Sequence, residues 1–223
     1  MARADWPPER LRRALRLYVL TDRGLSRGRS EVEIVQAALA GGATAIQLRW
    51  KVGPLAEAVR AGRALRELCR EAGALFVVND RVDLALALEA DGVHLGVEDL
   101  PLAEARRLAG NRLVIGFSPS TLEEALAAER AGADYLGVGP VYGTATKADA
   151  GPAVGLEHVR RIAQAVSIPV VGIGGITADN ARPVIEAGAA GVAVISAVVA
   201  ADDPRAAAAA LRAAVDQALA GRA

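Results

Sequence analysis

Short apolar runs alternate with longer amphipathic segments along the chain. The runs cover 17–21, 45–48, 75–78, 92–95, 113–117, 135–138, 169–173 and 191–195. They are rich in Val, Ile and Leu and nearly free of charge. Strands buried on both faces read this way, and parallel sheets bury both faces. Between them, EVEIVQAALAGG, PLAEAVRAGRALRELCREAG and TLEEALAAERAG place apolar residues at helical spacing and end near glycine, the usual residue past a helix C-terminus. The segment AAAAALRAAVDQALAG predicts a last helix.

A punctuation recurs, in which a helix gives way to a small Ala/Gly-rich link and then a strand. It appears as AGGATAIQL, EAGALFVV, EADGVHLG, RAGADYLGV and EAGAAGVAV. The repeating unit is a strand and a helix of about 20 to 35 residues. Eight such units predict an α/β protein with a single (β/α)8 TIM barrel, the doubly wound open sheet being the alternative. The arginine-rich start, with Pro7-Pro8, predicts a short helical extension over 1–16 ahead of a barrel domain over 17–223. In such barrels the chemistry lies at the C-terminal ends of the strands, so polar residues there carry functional weight.

Composition narrows the function. The 223 residues are 52% hydrophobic, with 26 Lys+Arg against 26 Asp+Glu. This excludes disorder and offers no overall basic field for nucleic acid. One cysteine, Cys69, leaves no intrachain disulfide and fits a reducing compartment. No charge-free apolar run reaches the roughly 20 residues that span a bilayer, and the start lacks the apolar region of a secretory signal. A cytoplasmic enzyme without membrane or nucleic-acid partners is expected, and a homo-oligomer is compatible with it. Only two of the basic residues are lysines, Lys51 and Lys147.

The strand ends carry the candidate chemistry. The second ends in Gln47-Leu48-Arg49-Trp50-Lys51, where alternation sends Gln47, Arg49 and Lys51 one way and Leu48 the other. Two cations at a barrel mouth suit a polyanion, or form an ion-paired rim. The third ends in Asn79-Asp80 and the fourth in His94-Leu95-Gly96, with Asp99 shortly after. On neighbouring strands Asp80 and Asp99 can converge, and two carboxylates beside cations suit Mg²⁺ bridging to a diphosphate. Asp99 could instead cap the helix starting near Pro101. His94 reads either as a base or as a packed structural histidine.

After the fifth strand, Ser120 and Thr121 with Glu123 and Glu124 look like cap chemistry, which leaves Ser118 for a ligand. The longest loop, 139–155, carries Thr144-Ala145-Thr146-Lys147, hydroxyls and an ammonium suited to sequestering phosphate. The seventh and eighth strands end in Gly174-Gly175 and Ile195-Ser196, where barrels commonly bind phosphate on backbone N–H groups. The composite is a monophosphate site beside a diphosphate site with Mg²⁺.

Several motifs in order, YVLTD, GATAIQLRWK, VVNDRVDLALA, GVHLGVEDLP, GADYLGVGPVYGTATK, GIGGI and AVISA, give the chain a resemblance to the thiamine-phosphate synthase family from about Tyr18 to Ala197. The resemblance implies a transferase that joins hydroxymethylpyrimidine diphosphate to thiazole phosphate and releases pyrophosphate. It implies that Gln47, Arg49, Lys51, Asn79, Ser118 and Lys147 contact the pyrimidine diphosphate, and that Leu48 and Trp50 are substrate-binding. It implies that Asp80 and Asp99 hold Mg²⁺. Thr144, Thr146, Gly174, Ile195 and Ser196 would contact the thiazole phosphate, with Ala145 between them also substrate-binding. Lys51, Lys147 and Ser118 would be catalytic in a dissociative reaction, with pyrophosphate leaving before the thiazole nitrogen attacks. The chain departs from the family in carrying Val97 where glutamine is usual, and Ser118-Pro119-Ser120 where Ser-x-His is common. A thiazole tautomerase-like enzyme and a non-catalytic barrel binding thiamine precursors are the alternatives.

Overall fold

The computed structural model describes residues 3–144 and 151–222. Eight strands form: β1 (Leu17–Leu20), β2 (Ala45–Leu48), β3 (Leu75–Asn79), β4 (Gly92–Gly96), β5 (Val114–Ser118), β6 (Tyr135–Val138), β7 (Val170–Ile173) and β8 (Gly191–Val194). They pair in chain order, all parallel. The pairing of β1 with β8 closes the sheet on itself. The expected (β/α)8 barrel is therefore the observed one, and the open sheet is excluded. Boundaries differ from the sequence reading by a residue. The fifth strand starts at Val114 and takes in Ser118, which the ladder pairs with Gly96. The seventh starts after Pro169, which has no N–H to give to a ladder.

The helices in chain order are α1 (Pro8–Ala14), α2 (Glu31–Ala40), α3 (Leu55–Ala72), α4 (Val82–Ala87), α5 (Leu102–Ala109), α6 (Leu122–Arg130), α7 (Gly155–Ala165), α8 (Ala181–Glu186), α9 (Ser196–Val199) and α10 (Pro204–Ala220). Their ends follow local chemistry. Ser30 and Glu33 close a reciprocal capping box on α2, with Glu33 N–H giving to Ser30 Oγ at 3.2 Å and Ser30 N–H to the Glu33 carboxylate at 2.8 Å. Asp203 accepts from Ala206 N–H at 3.0 Å ahead of Pro204, a proline placed where no intrahelical donor is needed. Among the described residues, no helix is long and apolar enough to cross a membrane.

All four positions of β1, β2, β6 and β8 are buried, as strands covered on both faces require. Trp6 and Leu11 join the same apolar core as the barrel. Polar residues before the strands hold the floor rather than a ligand. Asp134, just ahead of β6, takes Arg3 and Arg106 at 2.7 Å each and Ile115 N–H at 2.8 Å. Asp91, just ahead of β4, accepts from Phe76 N–H at 2.9 Å. The opposite end is left for chemistry.

Candidate active site

A cavity of about 880 Å³ opens at the C-terminal ends of the strands. That size suits small organic substrates. From β2 it takes Arg49 and Lys51, and from β3 Asn79 and Asp80. From β4 and its loop come His94 and Asp99, and from β5 Ser118. Thr144, Gly174, Ile195 and Ser196 complete the wall from the other side.

The cavity does not take in every residue singled out in the sequence. Leu48 is fully buried and packs outward toward Gly62 of α3, because alternation on β2 sends it to the helix layer. Trp50 turns away and lies under the Arg23 guanidinium, 4.4 Å from its ring centre. Gln47 is inside the barrel at 1% exposure, below the cavity wall. Ala145, Thr146 and Lys147 lie outside the described residues.

Arg49 is anchored at both ends. Its backbone N–H gives to Thr21 Oγ1 at 3.1 Å, and Nη1 gives to Asp22 Oδ2 at 2.5 Å. Asp22 is itself fixed by Gly24 and Leu25 N–H groups at 2.9 and 3.2 Å. The guanidinium, 13% exposed, keeps a buried Nε–H without a partner among the described residues. A donor in that state is costly and suits an anion brought by substrate. Lys51 Nζ lies 2.6 Å from Asp80 Oδ2, so the rim cation and the candidate metal carboxylate are already in contact.

Asp80 follows β3 in the left-handed region, at φ +63°. Aspartate tolerates this conformation better than most residues. Its N–H gives to His94 O at 2.8 Å, which ties the bend to β4 and turns the carboxylate toward the cavity. Asp99 accepts from Gly96 N–H at 2.7 Å, while α5 begins after Pro101 with no side-chain cap. The cap reading of Asp99 is thereby excluded. Burial pushes the Asp99 carboxyl above the ordinary carboxylate range, and the neighbouring Asp80 charge adds to this, while Gly96 N–H and Lys51 oppose it. Two acidic groups therefore compete for one space, an arrangement that a divalent cation relieves.

Among the described residues no group of three or more His, Cys, Asp or Glu could hold a metal. A two-carboxylate site fits Mg²⁺, which commonly takes one or two carboxylates and completes its shell with substrate phosphate and water. Val97, 53% exposed, lines the same cavity.

On β5 the cap chemistry falls to Thr121, whose Oγ1 accepts from Glu124 N–H at 3.1 Å, and the Glu124 carboxylate accepts from Ser120 N–H at 2.6 Å. Ser118 is left on the cavity wall. Across the cavity, Gly174 and Gly175 follow β7 at φ +98° and +66°, where a side chain would be strained. Space is also lacking, since a Cβ on Gly174 would stand 2.5 Å from Pro140 Cβ. The loop after β7 is stapled by Asn180, whose Oδ1 accepts from Thr177 N–H at 2.8 Å and whose Nδ2 gives to Gly175 O at 3.0 Å. Ile195 and Ser196 open α9 on the same wall.

The sequence reading missed Tyr18, Tyr135 and Asn180. Two of the chain's three tyrosines fall in otherwise apolar strands, Tyr18 inside β1 and Tyr135 at the start of β6, a legible signal of polar groups inside the barrel. Gln47 Nε2 gives to Tyr18 Oη at 2.6 Å, the two tyrosine hydroxyls are 3.0 Å apart, Tyr135 Oη is 3.0 Å from His94 Nδ1, and His94 Nε2 is 2.8 Å from Ser118 Oγ.

Comparison with known proteins identifies the family. The family model described as thiamine monophosphate synthase matches residues 17–198. The thiamine-phosphate synthase of Moorella thermoacetica is 57% identical over 202 residues, 91% of this chain and 96% of that protein. That of Pyrococcus furiosus is 55% identical over 94% of this chain and 99% of its own length. A solved thiamine phosphate pyrophosphorylase from Pyrococcus furiosus superposes with a TM-score of 0.88 at 54% identity, covering 94% of this chain and 99% of that one. The chain belongs to the thiamine monophosphate synthase family.

Proposed function

We propose that the chain joins a hydroxymethylpyrimidine diphosphate to a thiazole phosphate, forming thiamine phosphate and releasing pyrophosphate. The observation that carries this reading is the pairing of two cations, Arg49 and Lys51, with two converging carboxylates, Asp80 and Asp99, opposite the Gly174–Ser196 wall of one cavity. Arg49 and Lys51 bind the diphosphate, and Asn79 and Ser118 orient it. Asp80 and Asp99 hold Mg²⁺, which supplies positive charge to the departing pyrophosphate when bound. Thr144, Gly174, Ile195 and Ser196 hold the thiazole phosphate, joined by Ala145 and Thr146 on the strength of the family resemblance. Lys147 is assigned to the leaving group on the same basis. Leu48 and Trp50 are assigned to the substrate on the strength of the family resemblance alone.

The carbon–oxygen bond between the pyrimidine methylene and the diphosphate breaks, and its electron pair leaves with pyrophosphate. The thiazole nitrogen then supplies the pair for the new carbon–nitrogen bond. Arg49 and Lys51 favour the first step because charge on the bridging oxygen grows as the bond breaks. The opposite wall favours the second by holding the nucleophile within reach of the short-lived cation.

The test mixes the purified chain with Mg²⁺ and both substrates and measures thiamine phosphate and pyrophosphate together. Equal amounts of both are expected; no product at saturating substrate overturns the reading. Asp99→Ala should lose Mg²⁺-dependent pyrophosphate binding in calorimetry as well as turnover. Retention of both would remove the metal assignment.

A further inference from the structure

Five side chains from five strands form one hydrogen-bonded line across the barrel interior: Gln47, Tyr18, Tyr135, His94 and Ser118. The sheet register builds its centre. His94, Gly116 and Tyr135 share one row on β4, β5 and β6. A Cβ on Gly116 would stand 2.1 Å from Tyr135 Cζ and 2.5 Å from His94 Nδ1. The missing side chain is the gap in which tyrosine and imidazole meet.

The line has a direction, fixed by satisfying each buried donor. Gln47 turns Nε2 to Tyr18 and leaves Oε1 without a partner. The reverse orientation would orphan an NH₂ group instead, and orphaned buried donors are rarer than orphaned carbonyls. Tyr18 Oη accepts from Gln47, and the acceptor that the line offers for its own hydrogen is Tyr135 Oη. Tyr135 then has one acceptor for its hydrogen in the line, His94 Nδ1. If His94 Nδ1 carried a proton instead, two donors would face each other inside the barrel. Burial raises both tyrosine hydroxyls above the ordinary range, so both remain donors at neutral pH.

The ring proton of a neutral His94 is therefore on Nε2, and it is given to Ser118 Oγ. This decides what Ser118 offers the cavity. A serine that accepts from His94 has its own hydrogen to give to substrate. A serine that gives to His94 would turn a lone pair toward an anion and repel it.

We propose that Tyr135 locks His94 in its Nε2–H tautomer, and that His94 thereby sets Ser118 as a donor to an anionic oxygen of the bound diphosphate. Tyr135 and His94 are positioning residues, and Ser118 is the group that touches substrate. The proposal rests on the synthase reading of the cavity, but its test does not need turnover. The chain has two histidines, His94 and His158, so protein carrying His158→Gln shows a single imidazole.

Long-range ¹H–¹⁵N correlations on ¹⁵N-histidine protein identify which ring nitrogen holds the proton. The Nε2–H form is expected at pH values where the ring is neutral. The Nδ1–H form overturns the proposal without any variant, even if Tyr135→Phe should fail to fold. Tyr135→Phe should release the tautomer and raise KM for the pyrimidine diphosphate about tenfold, the effect of one charge-assisted hydrogen bond. The KM for thiazole phosphate should stay within about twofold. Tyr18→Phe should keep the tautomer, since Tyr135 still gives to His94. A role in packing alone would make the two variants alike. Equal effects from both, or an unchanged tautomer and KM in Tyr135→Phe, would sink the proposal.

Discussion

Gly116→Ala adds one methyl at the most crowded point of the barrel interior. The new carbon would lie 2.1 Å from Tyr135 Cζ, 2.4 Å from Tyr135 Oη and 2.5 Å from His94 Nδ1. Ordinary carbon contacts are about 3.5–4.0 Å, so the ring must retreat by more than about 1 Å. Tyr135 is fully buried and its strand is paired on both sides, so no solvent space absorbs the movement. Overpacking of this kind costs about 1–3 kcal/mol. Losing the Tyr135–His94 hydrogen bond adds about 1 kcal/mol. Replacing glycine in a strand returns about 0.5–1 kcal/mol of backbone entropy. The net loss is about 1–3.5 kcal/mol, and for a chain of this length it lowers Tm by about 2–14 °C. Urea unfolding followed by circular dichroism measures it. Gly143→Ala is the control for stability, because a Cβ there meets nothing within 4 Å. It should change stability by less than about 0.5 kcal/mol. If Gly116→Ala is as stable as the control and keeps wild-type kcat/KM, the crowding argument is wrong.

Three further outcomes are expected. Arg49→Lys should lower kcat/KM for the pyrimidine diphosphate by about 10- to 100-fold, because one ammonium cannot hold Asp22 and face the cavity together; steady-state kinetics unchanged from wild type would return Arg49 to a rim ion pair. Burial pushes the Cys69 thiol above its ordinary range, so it should resist thiol reagents at pH 8 and react on unfolding; fast labelling of the native protein would contradict this. Burial likewise holds the Asp91 carboxyl above its ordinary 3.8. The folded state then binds that proton more tightly than the unfolded chain, so Asp91 contributes fully below the unfolded value and its contribution is lost as pH rises through the folded one. Unfolding free energies measured across pH 4–7 should fall less steeply with rising pH in Asp91→Asn than in wild type, and identical slopes would refute the linkage.

The barrel was legible because its signal is local. Eight charge-poor runs alternate with helical spacing, and a double-covered strand leaves little choice of pattern. The strand-end polar residues were legible for the same reason, since fold and alternation together place Arg49, Lys51, Asp80 and Ser118 at the cavity. Asp99 was ambiguous because a cap and a site carboxylate occupy the same place before a helix, and only the position of Pro101 separates them. Trp50 entered as a site residue through the family motif alone, which carries no information about rotamer, and its ring lies under the Arg23 guanidinium. The members of the line from Gln47 to Ser118 could be seen in the sequence as polar groups in apolar runs, but not the contacts that join them. Its tyrosines are 117 residues apart, and the glycine that lets the second meet His94 has no side chain to notice.

The closure of β1 on β8 has a consequence for how the chain comes into being. During synthesis β1 emerges first among the strands, and one of its two neighbours emerges last. Until Val192 and Val194 are made, the growing sheet has two open edges, each presenting unpaired backbone groups beside apolar faces. Such edges template association with other chains. A nascent or truncated chain lacking residues 191–194 therefore keeps the exposed edges that the finished ring abolishes, and ribosomal pausing shortly before that point would prolong the period of greatest risk. Edge protection in this architecture is acquired late, with the final strand, rather than accumulated repeat by repeat.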